Sequence, residues 1–245
     1  MQSKVSPSQP AAAVPSASRF RPSVQWRDFV VYFFFAAVLA FFAFTIGDKG
    51  FLSVANLFNI TRTTSMIAVI AVAMTFVIAA GELDLSVGST AALAALTSAL
   101  AMQAGYGVAG GVVAALVSGL LVGAVNGFFV TVVNIPSFLV TLGMMQFVRG
   151  LDMRLTYTKP VAISDTSFTS IFGSGSIGSV PSLFVWSVIV AAVGHVVLRY
   201  TPFGRQVLAT GGNRVAAQYS GVPTKRIKLT CFLISGAAGA LAGML

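Results

Sequence analysis

The sequence predicts an all-α fold, a polytopic transmembrane helical bundle with six to seven spans and a helix broken near residues 81–89. Three observations point to it. The 245 residues are 56% hydrophobic and only 9% charged, against about 25% charged in soluble domains, which leaves too little polar surface to wrap the chain in water. No Asp, Glu, Lys, Arg or His occurs from Leu85 to Val148, a run for which a bilayer is the natural solvent. Stretches near the ~20 apolar residues that a spanning helix needs recur along the chain, set off by Gly, Pro and charge.

In chain order, residues 1–28 are rich in Ser, Pro, Ala and Gln and predict a disordered tail. A secretory signal places its apolar core directly after a basic start, whereas here apolar sequence begins at Phe29 and runs to Gly47, long enough to span. Further spans are expected over 63–81, 86–103, 109–131, 136–150, 183–198 and from 229 onward. Residues 29–245 thus form one transmembrane domain, with polar loops at 151–182 and 199–228. Gly119, Gly123 and Gly127 repeat at four-residue spacing, which puts small residues on one helical face and lets a neighbouring backbone approach closely. The last span reaches Leu245 inside a Gly- and Ala-rich run with no flanking charge, which reads as a helix cut off midway and a chain truncated at its C-terminus.

Orientation follows from which alternate loops carry Lys and Arg. With the tail inside, one face holds Lys4, Arg19, Arg21, Arg27, Arg199, Arg205, Arg214, Lys225, Arg226 and Lys228. The other holds only Lys49, Arg62, Arg149, Arg154 and Lys159. The tail and the 199–228 loop are therefore expected in the cytoplasm and the 151–182 loop outside. The net charge of +9 is spread between spans rather than gathered on one face, so topology accounts for it and nucleic acid is not expected as a partner. The single cysteine, Cys231, excludes an intramolecular disulfide and a clustered thiolate metal site.

The segment from Gly81 to Ser89 places Glu82 and Asp84 between two apolar spans. Acids there are costly unless they face a polar cavity, the interface or the amides of a helix start. Asp84 or Ser86 is expected to cap the following helix, and a break here would also line a transport route, as interrupted helices do. Asn126, Asn134, Ser137 and Thr141 bring hydrogen-bonding groups into apolar spans, and Pro136 stops or kinks its helix. Between Tyr200 and Thr230, Gly204 and Gly211-Gly212 read as breakers ahead of a short helix that Asn213 caps, Gly221 ends and Pro223 prevents from continuing. That helix would display Arg214 and Tyr219 as a docking element. Gly173-Ser-Gly175-Ser-Ile-Gly178 satisfies G-x-G-x-x-G without the surrounding βαβ pattern and reads as loop, and lone His195 reads as a packing or hydrogen-bonding residue rather than a metal ligand or proton relay. No G-x-x-x-x-G-K-[ST] occurs, so the chain carries no P-loop, and no nucleophile with a paired base points to an enzyme.

Three separated stretches resemble the permease subunits of bacterial ABC importers for monosaccharides of the ribose, xylose and arabinose type. They are Gly81-Glu-Leu-Asp-Leu-Ser-Val-Gly-Ser89; Pro136-Ser-Phe-Leu-Val-Thr-Leu-Gly143 with Arg149-Gly-Leu151; and Thr201-Pro-Phe-Gly-Arg205, continuing through Gly211-Gly-Asn213, Ala216-Ala217 and Ser220-Gly221. Glu82 departs from the family, where a second glycine is common, and Leu83 stands where isoleucine is common. The resemblance implies a permease dimer, homomeric or heteromeric, in the bacterial inner membrane. It also implies cytoplasmic ATPase subunits that use ATP and a periplasmic sugar-binding protein, with no cofactor, metal or catalytic residue in this chain. It places ATPase coupling at Gly204, Arg205, Gly211, Asn213, Ala216, Ala217 and Gly221, and a substrate pathway at Asp84, Ser86, Ser89, Ser137 and Thr141. Glu82 and Asp84 leave open a second reading, a proton- or ion-coupled secondary transporter of a small polar solute.

Overall fold

In hydrocarbon a backbone N–H or C=O has no water to bond, so an apolar run closes its hydrogen bonds within itself as a helix. The computed structural model describes residues 27–163, 165–178 and 180–245, with side chains from Phe29 onward, and is helical nearly throughout. The tail expected over 1–28 lies outside the described residues, except that α1 begins at Arg27. The chain divides into two compact units, residues 1–52 and 53–245. In the first, α1 (Arg27–Ile46) runs into a 3₁₀ turn closed by Gly50 at φ 84°, and the rings of Phe42 and Phe51 lie 5.8 Å apart.

The second unit holds α2 (Val54–Ala79), α3 (Val87–Ala101), α4 (Gly107–Thr131), α5 (Ser137–Thr156), α6 (Thr166–Phe172), α7 (Ser182–Tyr200), α8 (Pro202–Gly212), α9 (Arg214–Tyr219) and α10 (Thr224–Met244). A two-residue antiparallel ladder, β1 (Ser176–Ile177) against β2 (Val180–Pro181), pairs Ser176 with Pro181 and lies between α6 and α7. It contains the end of the discounted glycine-rich stretch, now a hairpin.

Among the described residues, five helical stretches are long and apolar enough to cross a membrane: Phe29–Lys49, Val54–Ala79, Val87–Thr131, Ser182–Tyr200 and Thr224–Met244. The third is two arms. A π turn over Met102–Tyr106, with Gly105 at φ 89°, reverses the chain, and Thr97 Oγ1 meets Ser118 Oγ at 3.1 Å across the resulting hairpin. A helix lies over each of the seven expected stretches, but α5, with Arg149, Asp152 and Arg154, is not among those apolar enough to cross; α2 starts at Val54 rather than 63, α5 continues to Thr156 rather than 150, and α10 starts at Thr224 rather than 229. Helix ends answer to capping as well as hydrocarbon thickness: Ser53 Oγ accepts from Asn56 N at 3.2 Å, which starts α2 well ahead of its apolar stretch. Within the helices, hydroxyls such as those of Thr61, Ser65, Thr75 and Thr131 donate to carbonyls four residues back, which is how apolar spans tolerate them.

α10 occupies the centre, packed by α2, α3 and α4. Its closest neighbour is α4 along the predicted glycine face. A Cβ on Gly119 would stand 2.3 Å from Gly236 O, and one on Gly123 would stand 2.4 Å from Phe232 O, so only glycine permits this approach. Phe76, Val77, Val130, Val207, Ile227, Cys231 and Phe232 form the core at one end of the unit, and Ala94, Ala115, Phe168, Phe172, Ala240 and Met244 form it at the other. Large apolar side chains such as Val113, Leu121, Phe147 and Val193 point outward, where lipid replaces water as solvent. His195 is exposed on α7 and meets Tyr200 edge-on at 5.8 Å, a surface contact rather than core packing.

Candidate functional site

α2 ends because Gly81 takes a left-handed conformation at φ 78°, with Gly81 N donating to Ile78 O at 2.9 Å and Glu82 N to Val77 O at 3.0 Å. This closure satisfies the last carbonyls and frees the chain to turn away. The helix is therefore broken as expected, and residues 80–86 are non-helical until α3 begins at Val87.

The break sits in a nearly dry polar cluster. Asp84, Ser86, Asn126, Thr141 and Ser235 are each at most 4% exposed. Asp84 Oδ1 accepts from Ser86 N at 2.9 Å and Ser86 Oγ at 2.6 Å, while Asp84 Oδ2 accepts from Ser235 Oγ at 2.7 Å. Asn126 Nδ2 donates to Ser86 Oγ at 2.8 Å. Ser86 O receives the hydroxyls of Ser89 at 2.8 Å and Thr90 at 2.9 Å. On the α5 side, Ser137 Oγ accepts from Leu83 N at 3.1 Å, and Thr141 Oγ1 donates to Ser137 O at 2.8 Å. Glu82 forms an ion pair with Lys228. Buried polar groups of this kind are costly unless bonded, and here three helices from distant parts of the sequence supply the partners.

The five pathway candidates thus converge on one break. Neither acid-segment side chain caps α3 as expected, however: Ser86 occupies the cap position without a side-chain bond to the helix amides. Its hydroxyl is drawn to Asp84 instead, and Asp84 bridges to α10. Pro136 neither stops nor kinks a helix: α4 has already ended at Thr131, and Pro136 is the residue immediately ahead of α5, where a missing N–H costs no helical bond.

The second group of candidates lies on α8 and α9. Gly204 and Gly211-Gly212 were expected to break the chain, but α8 contains all three. Thr201 Oγ1 caps its start by accepting from Gly204 N at 3.2 Å, and Pro202 occupies the first turn, which outweighs glycine's poor propensity. Gly204 is buried against Leu198 O, where a Cβ would stand at 2.0 Å. Asn213 caps α9 by accepting from Ala216 N at 3.0 Å, and Gly221 ends it at φ 81°, both as expected. Ala217 is buried, whereas Arg205, Ala216 and Tyr219 are exposed.

The two groups touch. A Cβ on Gly211 would lie 2.0 Å from Ala79 O and 3.1 Å from Gly81 N, so α8 rests backbone to backbone on the end of α2. Sequence reasoning missed Lys228 and Ser235. The available signal was Lys228 itself, which stands beyond the exposed Lys225 and Arg226 at the edge of the apolar part of α10, with acids elsewhere in the chain in need of a partner. Among the described residues, no group of three or more His, Cys, Asp or Glu lies together in a way that could hold a metal ion.

Residues 56–245 match the family described as branched-chain amino acid transport system / permease component. The chain belongs to this permease family. The permease is 35% identical over 243 residues to the L-arabinose ABC transporter permease protein AraH of Azospirillum brasilense, covering 99% of this chain and 70% of that protein. It is 34% identical over 226 residues to the ribose import permease protein RbsC of Haemophilus influenzae, covering 91% of this chain and 68% of that protein. Against the L-arabinose transport system permease protein AraH of Escherichia coli K12 it is 36% identical over 220 residues, covering 90% of this chain and 66% of that protein. No solved structure matches the permease.

Proposed function

We propose that the permease is the membrane-spanning subunit of an ATP-driven ABC importer and translocates a monosaccharide delivered by a periplasmic binding protein. In this reading it works as a homodimer or heterodimer in the bacterial inner membrane with its N-terminus in the cytoplasm. Cytoplasmic ATPase subunits use the ATP, and the chain itself holds no cofactor. In this reading Asp84, Ser86, Ser89, Ser137 and Thr141 form a constriction of the solute route, supported by the bonds among Asp84, Ser86 and Ser89 and by Leu83 N donating to Ser137 Oγ. The α8–α9 element that carries Gly204, Arg205, Gly211, Asn213, Ala216, Ala217 and Gly221 receives the ATPase through its exposed residues, Arg205 and Ala216 among them, with Tyr219, 90% exposed, at its tip.

The observation that carries the reading is the seating of Gly211 on Ala79 and Gly81. A partner that binds two arrangements of α8–α9 unequally shifts the equilibrium between them, and the backbone contact passes that shift to the broken segment. The names of the relatives, which specify arabinose and ribose, support a five-carbon sugar over an amino acid as solute.

The test is uptake of labelled L-arabinose and D-ribose in proteoliposomes containing the permease, its ATPase subunits and its binding protein. Accumulation that requires internal ATP is expected. Accumulation that persists without the ATPase and follows an imposed proton gradient would instead establish secondary transport. The geometry does not favour that alternative, because Glu82 is ion-paired and both oxygens of Asp84 already accept hydrogen bonds.

A further inference from the structure

The ion pair between Glu82 and Lys228 joins residues 146 positions apart, with side chains 12% and 9% exposed. It is a contact separate from the hydrogen bonds around Asp84, made by the first turns of α10 to the other acid of the broken segment. Three facts define its place. First, the turn between α9 and α10 is locked: Gln218 Nε2 donates to Thr224 Oγ1 at 2.8 Å and Val222 N to Ala217 O at 2.9 Å, so α9 and the first turn of α10 move together. Second, Lys228 sits one turn inside that locked end, in the stretch that begins at Thr224. Third, Ser235, two turns further along the same helix, holds the other acid of the break. α10 therefore grips both acids of the segment, Glu82 from its first turns and Asp84 from its interior. The segment that carries them is non-helical, so its backbone dihedrals are not held by a helical ladder.

From this we infer that Lys228 and Glu82 are positioning residues for transport: their ion pair is the strut that carries movement of α9 into the constriction at residues 83–89. The inference rests on the importer reading above. An ion pair suits the task because, out of water, opposite charges resist separation over a longer range than a neutral hydrogen bond does. The Gly211 contact transmits only a push, since two backbones in van der Waals contact do not pull on one another. The Glu82–Lys228 pair transmits a pull as well, so the two contacts together make the junction reversible.

Four variants of the assembled importer separate this role from simple support of the fold. Lys228→Met and Glu82→Gln each strand a buried charge and are expected to reduce the amount of folded permease in the membrane. The double variant Glu82→Gln/Lys228→Met leaves no charge stranded. It is expected to restore membrane level and the basal ATPase rate of the complex, while stimulation of that rate by the sugar-loaded binding protein falls about tenfold. The exchange Glu82→Lys/Lys228→Glu restores opposite charges and is expected to recover at least half of the stimulation. If the neutral double variant is stimulated to within twofold of wild type, the pair only supports the fold and the inference is overturned. If the exchanged variant reaches normal membrane level without recovering stimulation beyond that of the neutral double variant, opposite charge is not what transmits and the inference is likewise overturned. Wild-type complex that takes up sugar without its ATPase would defeat the importer reading itself, a result distinct from either of these.

Discussion

Gly211 and Gly212 are neighbours with opposite surroundings, and that contrast makes a sharp test of the junction. A Cβ at Gly211 would stand 2.0 Å from Ala79 O and 2.9 Å from Ala79 C, both backbone atoms that cannot rotate away, whereas a Cβ at Gly212 would meet nothing within 4 Å. To bring the new methyl to 3.0 Å from the carbonyl oxygen, α8 must withdraw from α2 by about 1 Å, and overpacking of this kind costs ~1–3 kcal/mol. Charged against the arrangement in which α8 rests on α2, that energy lowers its population relative to alternatives by about 5- to 150-fold. Gly211→Ala is therefore expected to lose about four-fifths or more of binding-protein-stimulated ATPase activity in proteoliposomes and to lower the Tm in detergent by several degrees. Gly212→Ala should match wild type in both measurements. If Gly211→Ala is stimulated as strongly as Gly212→Ala, the α8–α2 contact carries no coupling and the reasoning fails.

Three further outcomes follow from the packing. Gly123→Leu places side-chain atoms into Phe232 O, 2.4 Å from the position of the first of them, and is expected to separate α4 from α10 and abolish stable insertion, read as loss of monodisperse protein after solubilisation. Cys231 is 1% exposed, so a small membrane-permeant maleimide should leave it unmodified in the folded permease and label it fully in denaturing detergent; native labelling of Gly123→Leu would report the opened core. Ser235→Ala leaves Asp84 Oδ2 buried without its donor and is expected to cost ~1–3 kcal/mol, seen as a lowered Tm, while Asp84→Asn, which puts an amide among donors, should cost a similar amount.

Much of the fold was legible because hydrocarbon leaves the backbone few options. Once a stretch such as 109–131 reads as apolar throughout, a helix is the only local answer, and the glycine face over Gly119, Gly123 and Gly127 announces a close neighbour. It does not announce which neighbour, because Gly236 and Phe232 are not encoded in the spacing of α4. Boundaries were harder: Asn56 and Arg62 look like loop residues, yet they extend α2 beyond its apolar part because helix continuation needs only a cap and tolerable side chains. Local propensity misled at Gly204 and Gly211, where glycine serves close approach inside a helix rather than ending one. The site divided along the same line. Asp84, Ser86, Ser137 and Thr141 were visible as polar groups where polar groups are expensive, but the bond from Ser235 and the pairing of Lys228 span most of the chain and exist only once α10 is docked.

The helix at the heart of the core is also the last of the described helices to leave the ribosome. α4 carries its bare glycine ridge, and the break carries its two acids, into the bilayer well before Gly236, Lys228 and Ser235 have been synthesised. Until α10 arrives, the earlier helices have a seam with nothing in it and Glu82 has no counter-charge from Lys228. Maturation of the core is thus postponed until α10 is made, when its insertion closes the seam, gives Glu82 its counter-charge and seats the junction beneath α8. A nascent chain arrested before Thr224 would hold α2 apart from the α3–α4 hairpin, without the helix that packs against both, susceptible to the proteases that clear unassembled helices.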